Sequence, residues 1–249
     1  MLKEKIVIIG ATSSIAQHCA RLWVVSDPKE LILVGRDGAG LKRIAMDLGV
    51  RNPSVHIEFK TADLLDASVM KSTVNEICQQ GVPDIVLIAH GSLPNQSECQ
   101  HNASLVAQTL EVNGVSPALW AESFAEKFES AGQGTLAVIG SVAGDRARKS
   151  NYVYGSAKAM VASYIEGLQH RFAGTNIHIV LIKPGPTDTP MTRNMKGEGL
   201  RLAPVSDVAI AIVQGIKTKT KTIYVPGKWR LIMGVIKRIP QFIFNKLNI

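Results

Sequence analysis

A tyrosine and a lysine at helical spacing are the residues of this sequence that best suit proton transfer. Tyr154 and Lys158 are four positions apart, so on a helix they would share one face. An ammonium group beside a phenol favours the phenolate, and it would lower a pKa that is ordinarily about 10. Ser141 lies thirteen residues before Tyr154, at the end of an apolar run. The pair predicts general acid–base catalysis near neutral pH.

A second tyrosine–lysine pair shows that this spacing alone is not specific. Tyr224 and Lys228 are also four residues apart, but Pro226 and Gly227 lie between them. Because proline interrupts a helix interior, we expect this second pair not to share a helix face. Only the earlier pair follows a strand-like run with a serine at its end, and we therefore assign the chemistry to that pair.

A turn of small residues near the N-terminus predicts a nucleotide site. The first apolar run leads into Gly10, and Ser14 and Ala16 stand where a three-glycine phosphate-binding pattern has its other glycines. Such a turn, followed by a helix, lets backbone N–H groups approach a pyrophosphate. The alternative is a turn that only connects a strand to a helix. Its place at the first strand–helix junction favours phosphate binding. The candidate residues are Gly10, Thr12, Ser13, Ser14 and Ile15.

The end of the second apolar run indicates which nicotinamide cofactor is bound. The acidic residue that binds the ribose of NAD, about 20 residues after the glycines, would be Glu30, but Glu30 precedes the strand. The strand instead leads into Arg36 and Asp37, and a guanidinium can pair with a 2′-phosphate and stack on adenine. The alternative is a solvated arginine, with Asp37 capping the next helix. We predict NADP (NADPH) as the cofactor.

Short apolar runs alternate with longer segments of helical pattern along the chain. The runs are almost continuous in Val, Ile and Leu, which is typical of parallel strands covered on both faces. The predicted strands are 5–9, 31–34, 55–59, 85–89, 135–139, 177–182 and 222–225. Predicted crossover helices include 13–25, 41–48, 67–79, 104–128 and 152–172. This alternation predicts a doubly wound, Rossmann-like α/β fold with a parallel sheet of about seven strands.

Composition predicts one folded domain. The 249 residues are 46% hydrophobic and 19% charged, which excludes a disordered chain, and no apolar run is long enough to span a bilayer. We expect residues 1–227 to form an NADP-binding catalytic domain and residues 228–249 an amphipathic tail. The three cysteines have no CxxC spacing, which predicts neither disulfides nor a metal site and suits a reducing cytoplasm.

The tail carries the excess positive charge of the chain. Residues 1–207 contain 20 basic and 20 acidic residues, whereas residues 208–249 contain eight basic residues and no acidic one. The charge is therefore a property of the tail, and nothing predicts nucleic-acid binding. One broad helical face of the tail would comprise Trp229, Ile232, Met233, Ile236 and Ile239. Pro240 should end or kink this helix. Further apolar residues follow at Phe242, Ile243, Phe244 and Leu247.

Two functions fit such a tail. A basic amphipathic helix too short to span a bilayer suits an anionic membrane interface. The alternative, compatible with the first, is packing on a second subunit of a homo-oligomer.

In the order and spacing of its motifs, the chain resembles the short-chain dehydrogenase/reductase family over residues 4–227. The matching segments are 10–16, 62–64, Asn113, Ser141, Tyr154 with Lys158, and 183–189. The resemblance implies that Tyr154 is the acid/base and that Ser141 holds the substrate carbonyl. Lys158 would contact the nicotinamide ribose and tune Tyr154, and Asn113 would hold the water of a proton relay. The other implied cofactor contacts are Asp63, Leu64, Ala89, Gly91, Pro184, Gly185, Thr187 and Thr189.

The chain departs from the family pattern after the fourth strand. The family commonly has Asn-Asn-Ala-Gly there, and this chain has Ile88-Ala89-His90-Gly91. Gly91 keeps the close backbone approach. His90 is either a packed, hydrogen-bonded loop residue or a cofactor contact. Together with the altered glycine turn, this indicates a divergent branch. Residues 89–96 and the tail after residue 227 are most similar to reductases such as decaprenylphosphoryl-2-keto-ribose reductase. Those enzymes act on polyprenyl-linked sugars at a membrane.

We expect an NADP(H)-dependent oxidoreductase that transfers hydride between nicotinamide and a carbonyl or secondary alcohol, on a lipid-linked or other sugar. Its expected location is the cytoplasm, at the inner face of the membrane if the tail binds lipid. A sugar dehydratase or epimerase would need more chain for a substrate domain. A non-catalytic NADP-sensing or scaffold protein is the alternative from another class, and it would lack Ser, Tyr or Lys of the site. Residues 187–203 should either face the substrate or form a solvated lid. Their polar and methionine side chains are Met191, Arg193, Asn194, Met195, Lys196, Glu198 and Arg201.

Overall fold

Seven parallel strands form one sheet. The computed structural model describes residues 4–195 and 201–247, so Lys196 and Glu198 of the expected substrate region lie outside the described residues. The strands are β1 (Lys5–Ile9), β2 (Glu30–Gly35), β3 (His56–Thr61), β4 (Ile85–Ile88), β5 (Gln133–Ile139), β6 (Asn176–Pro184) and β7 (Thr222–Val225). Their spatial order is β3-β2-β1-β4-β5-β6-β7. The predicted doubly wound, Rossmann-like sheet is confirmed.

Helices cover both faces of this sheet. They are α1 (Ser14–Val25), α2 (Gly38–Arg51), α3 (Ala67–Gln79), α4 (Gln96–Cys99), α5 (Ala103–Leu110), α6 (Ser116–Ala131), α7 (Tyr152–Arg171), α8 (Val205–Lys217), α9 (Lys228–Ile236) and α10 (Gln241–Phe244). Alternate side chains of β1 enter different cores. Ile6 and Ile8 pack with residues of α1 and α8, and Val7 and Ile9 pack with residues of α3 and α6. Burial on both faces explains why the strands are apolar throughout.

The predicted helix over 104–128 is interrupted. Helix α5 ends at Leu110, a π-helical turn occupies Glu111–Val115, and α6 follows. Within α6, Pro117 has no N–H to donate to the carbonyl of Asn113, four residues earlier, so the regular α pattern cannot continue through that carbonyl. The wider turn leaves Asn113 fully buried. Single π turns of this kind are frequent at functional sites.

The tail folds back on the domain, which corrects one prediction. Helix α9 ends before Pro240, as expected, but the apolar face predicted to contact a membrane or a second subunit is partly covered by the domain itself, with only Ile232 exposed. Met233 is 0% exposed, and Trp229, Ile236 and Ile239 are partly buried. Helical spacing alone does not tell which of two apolar faces a domain covers. No helix among the described residues is long and apolar enough to cross a membrane.

Candidate active site

Three predicted catalytic side chains meet where β5 approaches α7. Lys158 Nζ lies 5.8 Å from the centroid of the Tyr154 ring, one helical turn away. The Ser141 hydroxyl, just beyond β5, lies near enough to the phenol of Tyr154 to lower its pKa. Lys158 Nζ also donates to the carbonyl of Ile139 at 3.1 Å, which uses one of its three protons. The predicted second pair behaves as expected, because Tyr224 lies in β7 and Lys228 begins α9.

Burial controls the protonation of Tyr154 and Lys158. It raises the pKa of Tyr154 to about 12, an effect that the nearby hydroxyl of Ser141 partly opposes. It lowers the pKa of Lys158 to about 8, because an ammonium ion loses hydration in the interior. Desolvation therefore outweighs the lowering of the Tyr154 pKa that we expected from Lys158. Tyr154 is protonated at neutral pH, which is the form that donates a proton.

A close backbone contact fixes the position of Ser141 relative to Tyr154. A 3-10 helix of one turn, Val142–Gly144, follows Ser141. A Cβ atom on Gly144 would lie 2.6 Å from the carbonyl carbon of Lys158. Only glycine lets this turn lie directly on the backbone of α7, so the serine and the tyrosine are held by two elements in contact.

Asn113 is bound on both sides of its amide. Its Oδ1 accepts a hydrogen bond from the Ser92 amide at 2.9 Å, and its Nδ2 donates to the Thr109 carbonyl at 3.0 Å. Gly91 passes beside it, where a Cβ would lie 2.8 Å from Asn113 Oδ1 and 3.6 Å from Lys158 Nζ. Because Gly91 has no side chain, the backbone after β4 can approach both Asn113 and Lys158. Ser92 and Thr109 were not singled out from the sequence.

A cleft of about 610 Å³ opens at the carboxyl edge of the sheet. This volume lies within the range of small-molecule and cofactor sites, about 300–1,000 Å³. Its lining includes nine predicted cofactor-binding residues: Gly10, Thr12, Ser13, Ser14, Ile15, Arg36, Leu64, Gly91 and Thr189. The structure therefore brings nine of the fifteen predicted cofactor residues to one cleft.

The floor of the cleft suits a pyrophosphate. Gly10 has φ +79°, and a Cβ there would lie 2.6 Å from the backbone nitrogen of His90. Helix α1 begins beside it, the side chain of Ser13 makes no capping hydrogen bond, and no acidic residue lies in the first turn. The first amides of α1 are thus available to an anion, which a helix N-terminus attracts. These residues fit the nicotinamide dinucleotide that the motifs predict.

At the adenine end, both alternatives for Arg36 and Asp37 hold in part. Asp37 caps α2, with its Oδ1 accepting from the Gly40 amide at 2.9 Å. Arg36 is exposed and lines the cleft. Both charged side chains line the cleft; the Asp37 carboxylate is also engaged by the helix that it caps, and the Arg36 guanidinium is the cation of the pair.

Six other predicted cofactor residues do not line the cleft: Asp63, Ala89, Lys158, Pro184, Gly185 and Thr187. Asp63 folds back on its own turn, where its Oδ1 accepts a 3.0 Å hydrogen bond from the amide two residues further on. Ala89 and Gly185 extend the sheet by backbone hydrogen bonds to neighbouring strands. Pro184 is the last residue of β6, and the buried Thr187 donates to the carbonyl of Gly185 at 2.9 Å.

His90 is a hydrogen-bonded residue that also lines the cleft. Its Nε2 lies 2.7 Å from the hydroxyl of Ser116, and that hydroxyl donates its proton to the carbonyl of Leu64. Nε2 must therefore be the protonated ring nitrogen. Burial, with the charges of Lys158 and Arg36, lowers the pKa of His90 to about 3, so the ring is neutral. His90 thus ties the end of β4 to α6 and to the Leu64 turn.

A buried ion pair beside the site was missed from the sequence. Lys183 Nζ lies 2.6 Å from Asp145 Oδ1, with side chains 5% and 1% exposed. Tyr224 donates to the other oxygen of Asp145 at 2.8 Å. These contacts join β6 and β7 to the loop that follows Ser141. The available signal was a lysine at the end of an otherwise apolar strand.

The sequence matches a family model described as short chain dehydrogenase over residues 4–198. An uncharacterised oxidoreductase of Streptomyces coelicolor is 28% identical over 248 residues, which cover 98% of this chain and 96% of the relative. An uncharacterised oxidoreductase of Mycobacterium tuberculosis is 26% identical over 244 residues, which cover 97% of this chain and 96% of the relative.

Solved structures share the fold at low identity. An alcohol dehydrogenase from Comamonas testosteroni, specific for bulky-bulky ketones, has a TM-score of 0.81 and 22% identity, with 97% of this chain and 96% of that chain covered. A short-chain dehydrogenase from Sphingobium yanoikuyae, in complex with NADPH, has a TM-score of 0.80 and 21% identity, with 95% and 97% covered. Since the family model spans most of the sequence, the chain belongs to the short-chain dehydrogenases and is an NAD(P)-dependent oxidoreductase.

Proposed function

We propose that this oxidoreductase transfers hydride between NADP(H) and a carbonyl or secondary alcohol, with Tyr154 as its acid/base. The observation that carries the proposal is the Lys158 ammonium 5.8 Å from the centroid of the Tyr154 ring, with Ser141 near enough to the phenol to lower its pKa. This group adjoins Gly91, which lines the dinucleotide-sized cleft.

The residues divide the work of proton transfer. The bound nicotinamide supplies or accepts the hydride. Ser141 holds the substrate oxygen beside the phenol of Tyr154, which donates its proton during reduction and recovers it during oxidation. Lys158 is charged below about pH 8, so at neutral pH it stabilises the phenolate that reduction leaves behind.

Asn113 would hold the water through which Tyr154 regains its proton. Both ends of its side-chain amide are already bonded to Ser92 and Thr109. We therefore assign the water to the backbone carbonyl of Asn113, whose donor in a regular α-helix would be the missing N–H of Pro117.

The proposed cofactor is NADPH rather than NADH. Arg36 lines the cleft, and an arginine can form a bidentate, charge-assisted contact with a 2′-phosphate. The similar fold from Sphingobium yanoikuyae is in complex with NADPH, which supports the proposal by analogy.

The proposed substrate is a lipid-linked or other sugar that carries the carbonyl, reached from the cytoplasm. The support is the position of the tail. Trp229 lies against Gly185 and Arg146 binds the end of α9, so apolar tail residues border the loops after β5 and β6. Oxidation of bound NADPH by isoprenoid-phosphate sugars, compared with simple ketones, tests this substrate class.

The Tyr154→Phe variant tests the reaction. We expect turnover to fall by at least about 100-fold, the range of a lost general acid, while NADPH binding stays nearly unchanged. Tyr152→Phe is the matched control, because Tyr152 is an exposed tyrosine on the same helix (41%). Steady-state rates and cofactor titrations measure both effects. Near-normal turnover by folded Tyr154→Phe protein would refute the assignment.

A further inference from the structure

The tail carries an apolar surface that the domain leaves uncovered. We call this the tail surface; its members are Leu231 (78% exposed), Ile232 (37%), Val235 (65%), Phe242 (69%), Ile243 (43%) and Leu247 (38%). Leu231 and Val235 are four residues apart and share one face of α9. Met233 packs inward from the same helix, so the tail surface is a second apolar face.

Cationic side chains border the tail surface. Lys228 precedes Leu231 by three residues, and Arg238 follows Val235 by three, so both lie near the same helical face. Lys246 lies just after α10, four residues beyond Phe242. The side chains of Lys228, Arg238 and Lys246 are all exposed. No acidic residue occurs in residues 208–249. An exposed apolar strip with basic side chains around it matches the interface of an anionic bilayer in polarity and charge.

The tail surface is held rigidly beside the active site. Arg146, in the loop after Ser141, donates to the carbonyls of Ile236 and Ile239 at 2.6 Å each. Its guanidinium lies 3.9 Å from the centroid of the Phe244 ring. At the other end of α9, the indole of Trp229 lies directly on Gly185, where a Cβ would be 2.0 Å from its Nε1. Both loops that flank the catalytic group are therefore in contact with the tail.

We infer that the tail surface docks on a bilayer containing anionic lipids and holds the active-site loops after β5 and β6 near that bilayer, for a substrate that enters from the lipid. The second part rests on the proposed function, because it concerns a substrate that resides in the lipid. A second copy of the chain fits the surface less well. In a two-fold contact of the tail surface with itself, both copies would contribute cations, with no acidic partner from either tail.

Vesicle flotation with the full-length protein tests the docking. The probes are vesicles of phosphatidylcholine alone and vesicles with about one-third phosphatidylglycerol, at low and at high salt. The test variant is Leu231→Glu with Val235→Glu, and the matched control is Met46→Glu with Val50→Glu. The control residues are also exposed (63% and 84%) and four apart, on α2.

We expect wild type and control to float with the anionic vesicles at low salt, less at high salt, and not with phosphatidylcholine alone. The Leu231→Glu/Val235→Glu variant should bind at least about tenfold more weakly, since two apolar side chains no longer enter the interface. Its activity with a water-soluble ketone should equal that of wild type.

Two results would overturn the docking surface. One is that the wild-type protein does not bind anionic vesicles. The other is that the Leu231→Glu/Val235→Glu variant binds them as tightly as wild type. If that variant instead changes an oligomer into a monomer while vesicles are ignored by both proteins, the surface is a subunit contact. Vesicle binding without any carbonyl reduction would refute the proposed function and leave the docking surface standing.

Discussion

At the scale of single residues, desolvation and the hydroxyl of Ser141 have opposite effects on Tyr154. Burial raises the pKa of Tyr154 to about 12, and the Ser141 hydroxyl works against that rise. The same burial lowers the pKa of Lys158 to about 8. The result is a neutral phenol beside a cation at pH 7, which suits protonation of a carbonyl oxygen. The sequence identified the three residues, but their pKa values depend on burial that no spacing reveals.

Replacing Lys158 by methionine should remove a pH dependence of stability. Folding lowers the pKa of this group from 10.5 to about 8, so between these values the unfolded chain holds a proton that the folded chain has released. Wild-type stability should therefore rise with pH in this window. From pH 8 to pH 10 it should gain about 2 kcal/mol relative to Lys158→Met, because the slope is below about 1.4 kcal/mol per pH unit near each of the two pKa values. Denaturant unfolding without cofactor measures this, and parallel pH curves would contradict it.

The Arg36→Ala variant should lose most of the preference for NADPH over NADH. A charge-assisted contact to the 2′-phosphate is worth about 1.5–3 kcal/mol, or about 10- to 100-fold in affinity. NADH binding should change little. Arg43→Ala is the control, because Arg43 is an exposed arginine on α2 that lies 3.9 Å from Asp37. Titrations of wild type and both variants with NADPH and with NADH measure the preference. If wild type preferred NADH, Arg36 would not be the residue that binds the 2′-phosphate.

At the scale of elements, the contact between the Val142–Gly144 turn and α7 sets the geometry of the site. The turn carries Ser141 at one end, and α7 carries Tyr154 and Lys158. A glycine at position 144 allows the two backbones to touch. This contact joins the turn after β5 to helix α7. It depends on a close approach of two backbones, which the pattern of hydrophobic residues does not predict.

Gly144→Ala should therefore damage catalysis without touching a catalytic side chain. The added Cβ must displace the turn from α7, which should cost about 1–3 kcal/mol of stability and lower kcat/KM by about tenfold or more. Gly167→Ala on the same helix is the control. Nothing lies within 4 Å of a Cβ there, so alanine should stabilise α7 by about 0.5–1 kcal/mol. Thermal unfolding and steady-state kinetics of both variants measure these effects. If the two variants had the same stability and the same kcat/KM, the role of the Gly144 contact would be refuted.

The elements differ in how well the sequence predicts them. Strands β1 and β7 have the predicted bounds, because buried parallel strands are short, continuous apolar runs. The helix over 104–128 was predicted as continuous, since its apolar spacing continues across the π turn. The turn itself depends on one proline and on the packing of Asn113. A reader of the sequence could have taken Pro117 as the signal.

At the scale of the whole molecule, the fold brings distant segments to one edge of the sheet. Parallel strands place all of their carboxyl ends together, so the Gly10 turn, Arg36 and Gly91 line one cleft. This much follows from the fold class. The Asp145–Lys183 pair, 38 residues apart, and the reach of Arg146 to the tail, 90 residues on, could not be predicted. They depend on the final path of the chain after β5.

Arg146→Ala should loosen the whole tail from the domain. The variant loses charged hydrogen bonds to the Ile236 and Ile239 carbonyls and the contact with Phe244. We expect about 2 kcal/mol of lost stability, and faster hydrogen exchange and proteolysis within residues 228–247. Arg171→Ala removes two exposed ion pairs instead, which solvent screens, so this control should lose little stability. Unchanged exchange in the tail of Arg146→Ala would show that other contacts hold it.

The contact between Trp229 and Gly185 gives the protein an intrinsic optical probe. Of the three tryptophans, Trp23 is 3% exposed and Trp120 is 0% exposed, and both lie in the cores beside the sheet. Trp229 alone sits partly exposed, with its indole on the loop that follows β6. Its emission should therefore change when a ligand moves the Gly185 loop. It should also change when lipid replaces the water around α9. A single fluorescence signal can report both, and quenchers confined to water or to acyl chains can separate them.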